Sequence, residues 1–566
     1  MFDYFFRSMA LCIFSKFSIK EWYFLMALSV ILMILFALPY VYASITAPAG
    51  TFFSGIHTLT PGDFPVYYSY LTQVNDGVIG MQNVFSGADD ARWPFSSLWY
   101  LIGLFGKIFG MSPVFTFHVT RLVLIPVFVV VMYAIISYFF SSIVQRKFAL
   151  LFLIFASGWG FFGSFFVQSY YDRGYFHWPM DLWVPESVTF LTLYHSPHLI
   201  VSFLSIVLSV FFMHLALRFQ QFRWSVCAGF IAAFLFWFHP FHVLTVFAAL
   251  GGYVLVRKFV LHSSLVRDGL HCVLFLFLTF PPLIYHWNFL REHPLVQQMS
   301  LQNTLPTTVW WLTLLSYGAL IPLALTGIVV LVRKRAVSEP WLFVITWAVV
   351  HFVVLYAPVL WQRRLTAGFQ VPLALLAFTG IVFVWQKFFA SWWQRHKVYL
   401  YPVPLFIFLF IGIFGLSQAH VLAVDFRYWG NKDDARFYIP SDARSAFDWI
   451  RVNTPRDAVF VSDVLNSQLL AAFTGRRVYV AHPVQTREFE NRLRLLQTFL
   501  SEPQQLSQKY YFLTQVAQAQ YLLVTPVLFA QFRTRFNPLP SWLSLVYENA
   551  SVHVYRVETD SIAPEE

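Results

Sequence analysis

Trp22-Tyr-Phe-Leu-Met-Ala-Leu-Ser-Val-Ile-Leu-Met-Ile-Leu-Phe-Ala-Leu-Pro-Tyr-Val-Tyr-Ala43 holds no charged residue. Its length matches the roughly 20 residues with which an α-helix spans hydrocarbon. Arg7, Lys16 and Lys20 precede it, which sets the N-terminus in the cytoplasm by the positive-inside tendency. The run is too long for a signal-peptide core, and no convincing small-residue cleavage pattern follows. It reads as a retained first helix.

Apolar runs of similar length recur at about 115–140, 147–167, 194–217, 268–288, 308–332, 341–359, 365–387 and 399–419. A longer run, 224–256, is interrupted by His239-Pro240-Phe241-His242. Proline removes a helical hydrogen bond, so this run predicts two short helices meeting at a turn. The fold expected is a polytopic α-helical membrane bundle of about eleven transmembrane helices.

Alternation then places Arg146/Lys147, Arg218/Arg223, Arg257/Lys258/Arg267, Arg333/Lys334/Arg335 and Lys387/Arg395/Lys397 inside. An odd number of spans puts the C-terminal region outside. One basic cluster departs from the pattern: Trp361-Gln362-Arg363-Arg364 falls at the outer surface. Arg363 and Arg364 either snorkel to headgroups or meet an anionic ligand, for which paired guanidinium groups are suited.

The composition agrees. Of 566 residues 58% are hydrophobic and 11% charged, against about 25% charged in soluble domains. From Val421 onward there are 15 Lys/Arg and 15 Asp/Glu, so the net +11 lies wholly in the apolar part. That distribution fits cytoplasmic loops and anionic headgroups and argues against nucleic acid as a partner. Cys12, Cys227 and Cys272 are the only cysteines, so no disulfide framework holds the C-terminal domain.

Residues 1–420 therefore form the membrane domain, with two long outer loops, 44–114 and 168–193. Loops of such length are usually functional. Within the first, 94–110 reads as an amphipathic helix in the interface. Residues 421–560 form an extracytoplasmic α/β domain. Its expected helices are 446–453, 465–474 and a polar helical stretch 485–518, and its expected strands 458–462, 478–481 and 521–525, with a closing hairpin of 543–547 and 552–557. Residues 561–566 read as a loose tail.

Gly158-Trp159-Gly160-Phe161-Phe162-Gly163 matches a dinucleotide-binding pattern, but it lies in an apolar span rather than after a strand, which favours helix packing. His195/His198 and His239/His242 have i, i+3 spacing with proline inside each pair, which favours structural or hydrogen-bonding histidines over metal ligands. Asp89 and Asp90 read as a solvated turn. His482, Thr486 and Glu488 follow the second strand of the C-terminal domain, where α/β ligand sites tend to lie; Thr486 reads as a helix cap. Asp63 has two readings, a charge at a helix N-terminus or a carboxylate placed for chemistry at the outer interface.

The layout resembles the GT-C class of integral membrane glycosyltransferases. The resemblance covers the whole architecture, and four patches carry it locally. They are Gly62-Asp63 with Tyr67-Tyr68-Ser69-Tyr70, Trp183-Val184-Pro185-Glu186 with Thr189-Phe190, Pro197-His198, and Asn453-Thr454-Pro455 with Thr474-Gly475-Arg476-Arg477-Val478-Tyr479. The resemblance implies a sugar donor on polyprenyl phosphate, an inverting single displacement, and Asp63 as general base. It makes Arg363 and Arg364 stabilisers of the departing phosphate and Tyr67, Glu186, His195 and His198 substrate-binding candidates. The acceptor is left open among glycan, lipid and protein, and the sugar between hexose and pentose. Many GT-C members carry two adjacent acids in the first loop and a DxD metal motif in the second. Here Phe64-Pro65 follow Asp63, and Asp181-Leu182-Trp183 lacks the second acid, so no metal or other cofactor is expected. The location expected is the plasma (inner) membrane.

Two other functions compete. A transporter or flippase of lipid-linked saccharides would carry mid-span charges and inverted repeats, and the sequence shows few acids in its spans and no evident repeat. A lipid-linked glycan polymerase or ligase would share the outer arginines and long loop.

Overall fold

The computed structural model describes residues 17–87, 93–172, 175–389, 411–501, 505–526, 528 and 539–558. Asp89, Asp90, the tail 561–566 and most of the expected span 399–419 lie outside them. Among the described residues, seven helices are long and apolar enough to cross a membrane. They are Ile19–Ile45, Pro113–Phe139, Ile143–Gly163, Pro197–Phe219, Pro240–Phe259, Leu265–Glu292 and Gln370–Lys387. Phe222–Phe238 and Glu339–Val354 are shorter apolar helices at two further expected positions.

The break at 239–242 has the form expected. Helix Phe222–Phe238 ends, a 3-10 turn covers Pro240–His242, and a second helix runs Val243–Phe259. The expected single span 308–332 is instead two helices, Trp310–Tyr317 and Leu320–Arg333, bent by 76°. Gly318 makes the bend: its φ of +44° suits glycine, and a Cβ there would press on Trp159 at 2.9 Å. Helices Leu320–Arg333 and Gln370–Val384 cross closely because Gly327 and Gly380 face each other's backbones, where a Cβ on either would overlap a carbonyl oxygen.

The chain divides into two compact units, each built from separated segments. The first comprises Met1–Pro39, Val119–Ile284 and Leu305–Asp425; the second comprises Tyr40–His118, Tyr285–Thr304 and Phe426–Glu566. The first long loop thus belongs with the C-terminal domain, as does a short segment after Ile284.

Strand pairing explains the second unit. Strand β1 (Thr51–Phe53) of the first loop pairs antiparallel with β4 (Tyr438–Pro440), while β2 (Tyr170–Asp172) and β3 (Tyr175–His177) make a separate hairpin in the second loop. The C-terminal sheet contains β5 (Val459–Val461), β6 (Arg477–Val478), β7 (Tyr521–Val524), β8 (Leu543–Glu548) and β9 (His553–Val557), in the order β6-β5-β7-β9-β8. β5 is parallel to β6 and β7, and β9 is antiparallel to β7 and β8. Val459, Val461, Leu513, Leu522, Val524 and Trp542 fill its core. β6 is an edge strand, and the first loop covers it: Val478 N donates to Val84 O at 2.9 Å, and Gly87 N donates to Val478 O at 2.7 Å. An edge covered in this way is closed to other strands. The expected interfacial helix is Ser97–Ile108, with Leu98, Trp99 and Ile102 buried and Leu101 and Ile108 exposed.

Candidate functional site

Asp63 and Tyr67 lie in the second unit; Glu186, His195, His198, Arg363 and Arg364 lie in the first.

In the second unit, Asp63 opens helix Asp63–Asn75. Thr60-Pro61-Gly62 makes the turn before it, with Thr60 at φ +49° and the Asp63 N–H donating to Thr60 O at 3.0 Å. Gly62 holds the N-cap position, so Asp63 is a first-turn carboxylate, favoured by the positive end of the helix. Phe64 and Tyr68 are fully buried below it. The Asp63 side chain itself keeps 42% of its surface exposed. Tyr67, one turn on, stacks on Trp99 with ring centres 4.9 Å apart and on Phe117 at 6.1 Å.

His482 faces Asp63, with Nε2 3.5 Å from Oδ1, and is itself only 9% exposed. Its position follows from the chain after β6. Its Nδ1 accepts from Val484 N at 3.1 Å and Gln485 N at 3.2 Å. The Thr486 hydroxyl accepts from Ala481 N and His482 N and donates to Phe85 O at 2.6 Å. Thr486 is therefore not the helix cap expected: it stands three residues before helix Phe489–Ser501, and its hydroxyl serves the backbone that precedes it and ties this turn to the first loop. Asn83 Nδ2 donates to Gln485 O at 2.8 Å, and Arg492 donates to Ser86 O at 2.9 Å.

In the first unit, Arg363 and Arg364 sit on the 3-10 turn Gln362–Thr366. The Arg363 guanidinium lies 4.5 Å above the Trp183 ring, and that of Arg364 lies 5.0 Å from the Phe241 ring. Such stacking suits a planar cation. The turn is held from behind by His351, whose Nε2 donates to Leu365 O at 2.7 Å. Arg364 thus meets the 239–242 break, where three buried histidines gather. His198 and His239 have ring centres 5.2 Å apart, His239 and His242 5.7 Å, and the His239 Nδ1 lies 2.7 Å from the Ser202 hydroxyl. His195 is also buried, at the end of helix Thr189–His195. Glu186 is half-buried.

Asp181 has no solvent exposure. The Gly160 N–H donates to its Oδ2 at 3.1 Å, and a Cβ at Gly160 would collide with its Oδ1. Burial pushes its carboxyl up to about 7, against hydrogen bonds from Ser417 and the Gly158 and Gly160 amides that act to lower it. Gly158 and Gly163 likewise lack room for a Cβ, against Ser316 and Leu315. The GxGxxG run is a packing device, as the apolar context implied. Among the described residues no group of three or more His, Cys, Asp or Glu side chains could hold a metal ion.

No protein-family model and no curated protein matches the sequence. Solved structures do match. The oligosaccharyltransferase AglB of Archaeoglobus fulgidus, in complex with an inhibitory peptide and a dolichol-phosphate, aligns with TM-score 0.50 at 12% identity, over 96% of this chain and 75% of that one. The oligosaccharyltransferase of that organism tethered to an acceptor peptide containing the NVT sequon gives 0.52 at 13%, over 94% and 74%. ArnT from Cupriavidus metallidurans bound to undecaprenyl phosphate gives 0.49 at 13%, over 97% and 100%. The fold is GT-C. The GT-C fold expected from the sequence thus stands, with its multi-pass helical part and small C-terminal α/β domain. At these identities the likeness is one of GT-C architecture, and the roles of individual residues rest on their own geometry.

Sequence reading singled out His482 for its place after a strand but missed its pairing with Asp63. It singled out the two histidine pairs and the two arginines separately, and missed that His198, His239, His242 and Arg364 gather at one break. Pro240 and Pro197 were the available signals, since each marks a place where a span is interrupted.

Proposed function

We propose that the chain is an integral membrane glycosyltransferase. It moves a hexose or pentose from a polyprenyl-phosphate carrier to a glycan, lipid or protein acceptor at the extracytoplasmic face of the plasma membrane. The observation that carries this reading is Asp63: a half-exposed carboxylate at the head of a helix in the first long loop of a GT-C fold. As general base, Asp63 takes the acceptor's proton while the acceptor oxygen attacks the anomeric carbon. The bond to phosphate breaks on the opposite side, so configuration inverts. In the same reading Arg363 and Arg364 stabilise the charge that develops on the leaving phosphate, and Tyr67, Glu186, His195 and His198 contact substrate. A dolichol-phosphate accompanies the A. fulgidus enzyme that shares the fold, which supports a phosphate-linked lipid as donor. A lipid-linked donor also accounts for the lack of a nucleotide-sugar domain among the described residues.

The test is release of polyprenyl phosphate from a panel of polyprenyl-phosphate sugars by the protein in lipid nanodiscs. Release by the wild type that Asp63→Asn abolishes supports the reading. Movement of an intact lipid-linked saccharide across proteoliposomes, without release, replaces it with a flippase.

A further inference from the structure

We propose that His482 is a positioning residue for Asp63, so that the C-terminal α/β domain supplies part of the reaction centre; this rests on Asp63 being the base. A neutral imidazole has one N–H and one acceptor nitrogen. Two backbone N–H groups, from Val484 and Gln485, converge on Nδ1, which makes Nδ1 the acceptor and leaves the proton on Nε2. That nitrogen faces Asp63 Oδ1 at 3.5 Å, the outer edge of hydrogen-bond reach. Contacts of this kind often tighten when substrate binds.

The ring is not free to choose another tautomer or direction. Thr486 fixes the backbone on either side of it, and Phe85 O anchors Thr486 in turn. Oδ1 thus faces a donor of fixed direction. In the transfer, the acceptor O–H proton moves to the Asp63 carboxylate and the acceptor oxygen bonds to the anomeric carbon. The carbon–oxygen bond to phosphate breaks with its electron pair on the phosphate. His482 keeps its proton throughout.

Two variants separate the donor from the fold. His482→Asn places an amide oxygen where Nδ1 accepts from Val484 and Gln485, but offers nothing at the Nε2 position. His482→Gln reaches the Nε2 position with an N–H. In the polyprenyl-phosphate release assay, His482→Asn lowers kcat by about 10²-fold with KM for the donor unchanged, as expected for a misplaced catalytic group, and His482→Gln recovers most of it. Wild-type kcat in His482→Asn, with Asp63→Asn inactive, overturns the role of His482 and leaves Asp63 as base. Full activity in Asp63→Asn instead overturns the underlying reading. A measurement independent of turnover is the ¹⁵N spectrum of histidine-labelled protein in nanodiscs. The signals lost in His482→Asn are a protonated Nε2 and an unprotonated Nδ1; the reverse tautomer overturns the proposal.

Discussion

Asp63 and Asp181 each occupy one of the two long loops, yet the chain gives them opposite surroundings. Asp63 keeps 42% of its surface in solvent and faces His482. Asp181 has none, and lies beneath a glycine turn whose amide it accepts. A carboxylate that must exchange a proton with a substrate needs access and a partner that holds its direction. A carboxyl sealed under backbone is held near neutrality by desolvation and organises the loop around it. Identical side chains thus take an open setting in one loop and a sealed one in the other.

The comparison breaks most decisively on activity. Asp63→Asn lowers polyprenyl-phosphate release by about 10²–10⁴-fold, the range of a lost general base, whereas Asp181→Asn stays within about threefold. Equal losses in both would erase the distinction. Next in size is Gly160→Ala, whose methyl group must displace Asp181. Overpacking of this kind costs about 1–3 kcal/mol, read as a lower midpoint of thermal unfolding in nanodiscs. Asp181→Ala added to Gly160→Ala recovers part of that loss, and simple additivity would refute the contact.

pH sharpens the contrast further. The ordinary aspartate value is 3.8 and the folded Asp181 value is about 7. The folded loop therefore holds a proton that the unfolded chain releases within this interval. Its contribution to stability falls as pH rises from about 4 to about 7 and is level beyond. Thermal midpoints across that window decline in the wild type and decline less in Asp181→Asn; parallel slopes would remove Asp181 as the cause. The smallest effect concerns Trp183, two residues on. A double-mutant cycle between Arg363→Ala and Trp183→Ala yields a coupling of about 0.5–1 kcal/mol if the stacked guanidinium anchors this loop.

Much of the GT-C fold was legible because the bilayer imposes one length on apolar runs and proline marks their breaks, as at Pro240. The strands of the C-terminal sheet were legible for a different reason: short β-branched runs such as Val459–Val461 leave no room for a helix. Gly318 was harder to read, since a lone glycine in an apolar run signals packing as often as a bend. The partner of Asp63 was out of reach, because no local period connects residue 63 to residue 482. The sealing of Asp181 was equally hidden, since it depends on a turn of Gly158-Trp159-Gly160 that the sequence presents as one apolar span.

The first loop and the last domain are joined by contacts far apart in the chain. The Thr72 hydroxyl donates to Ala472 O across 400 residues, and Asn83 reaches Gln485 O across 402. A ribosome making this chain releases the loop long before its partner strand exists. Until β6 emerges, residues 84–87 have no edge to cover and His482 has not been made. Biogenesis therefore leaves the loop that bears Asp63 without its edge partner until β6 and His482 have been made, and a nascent chain released before that point inserts its helices with this unit unassembled.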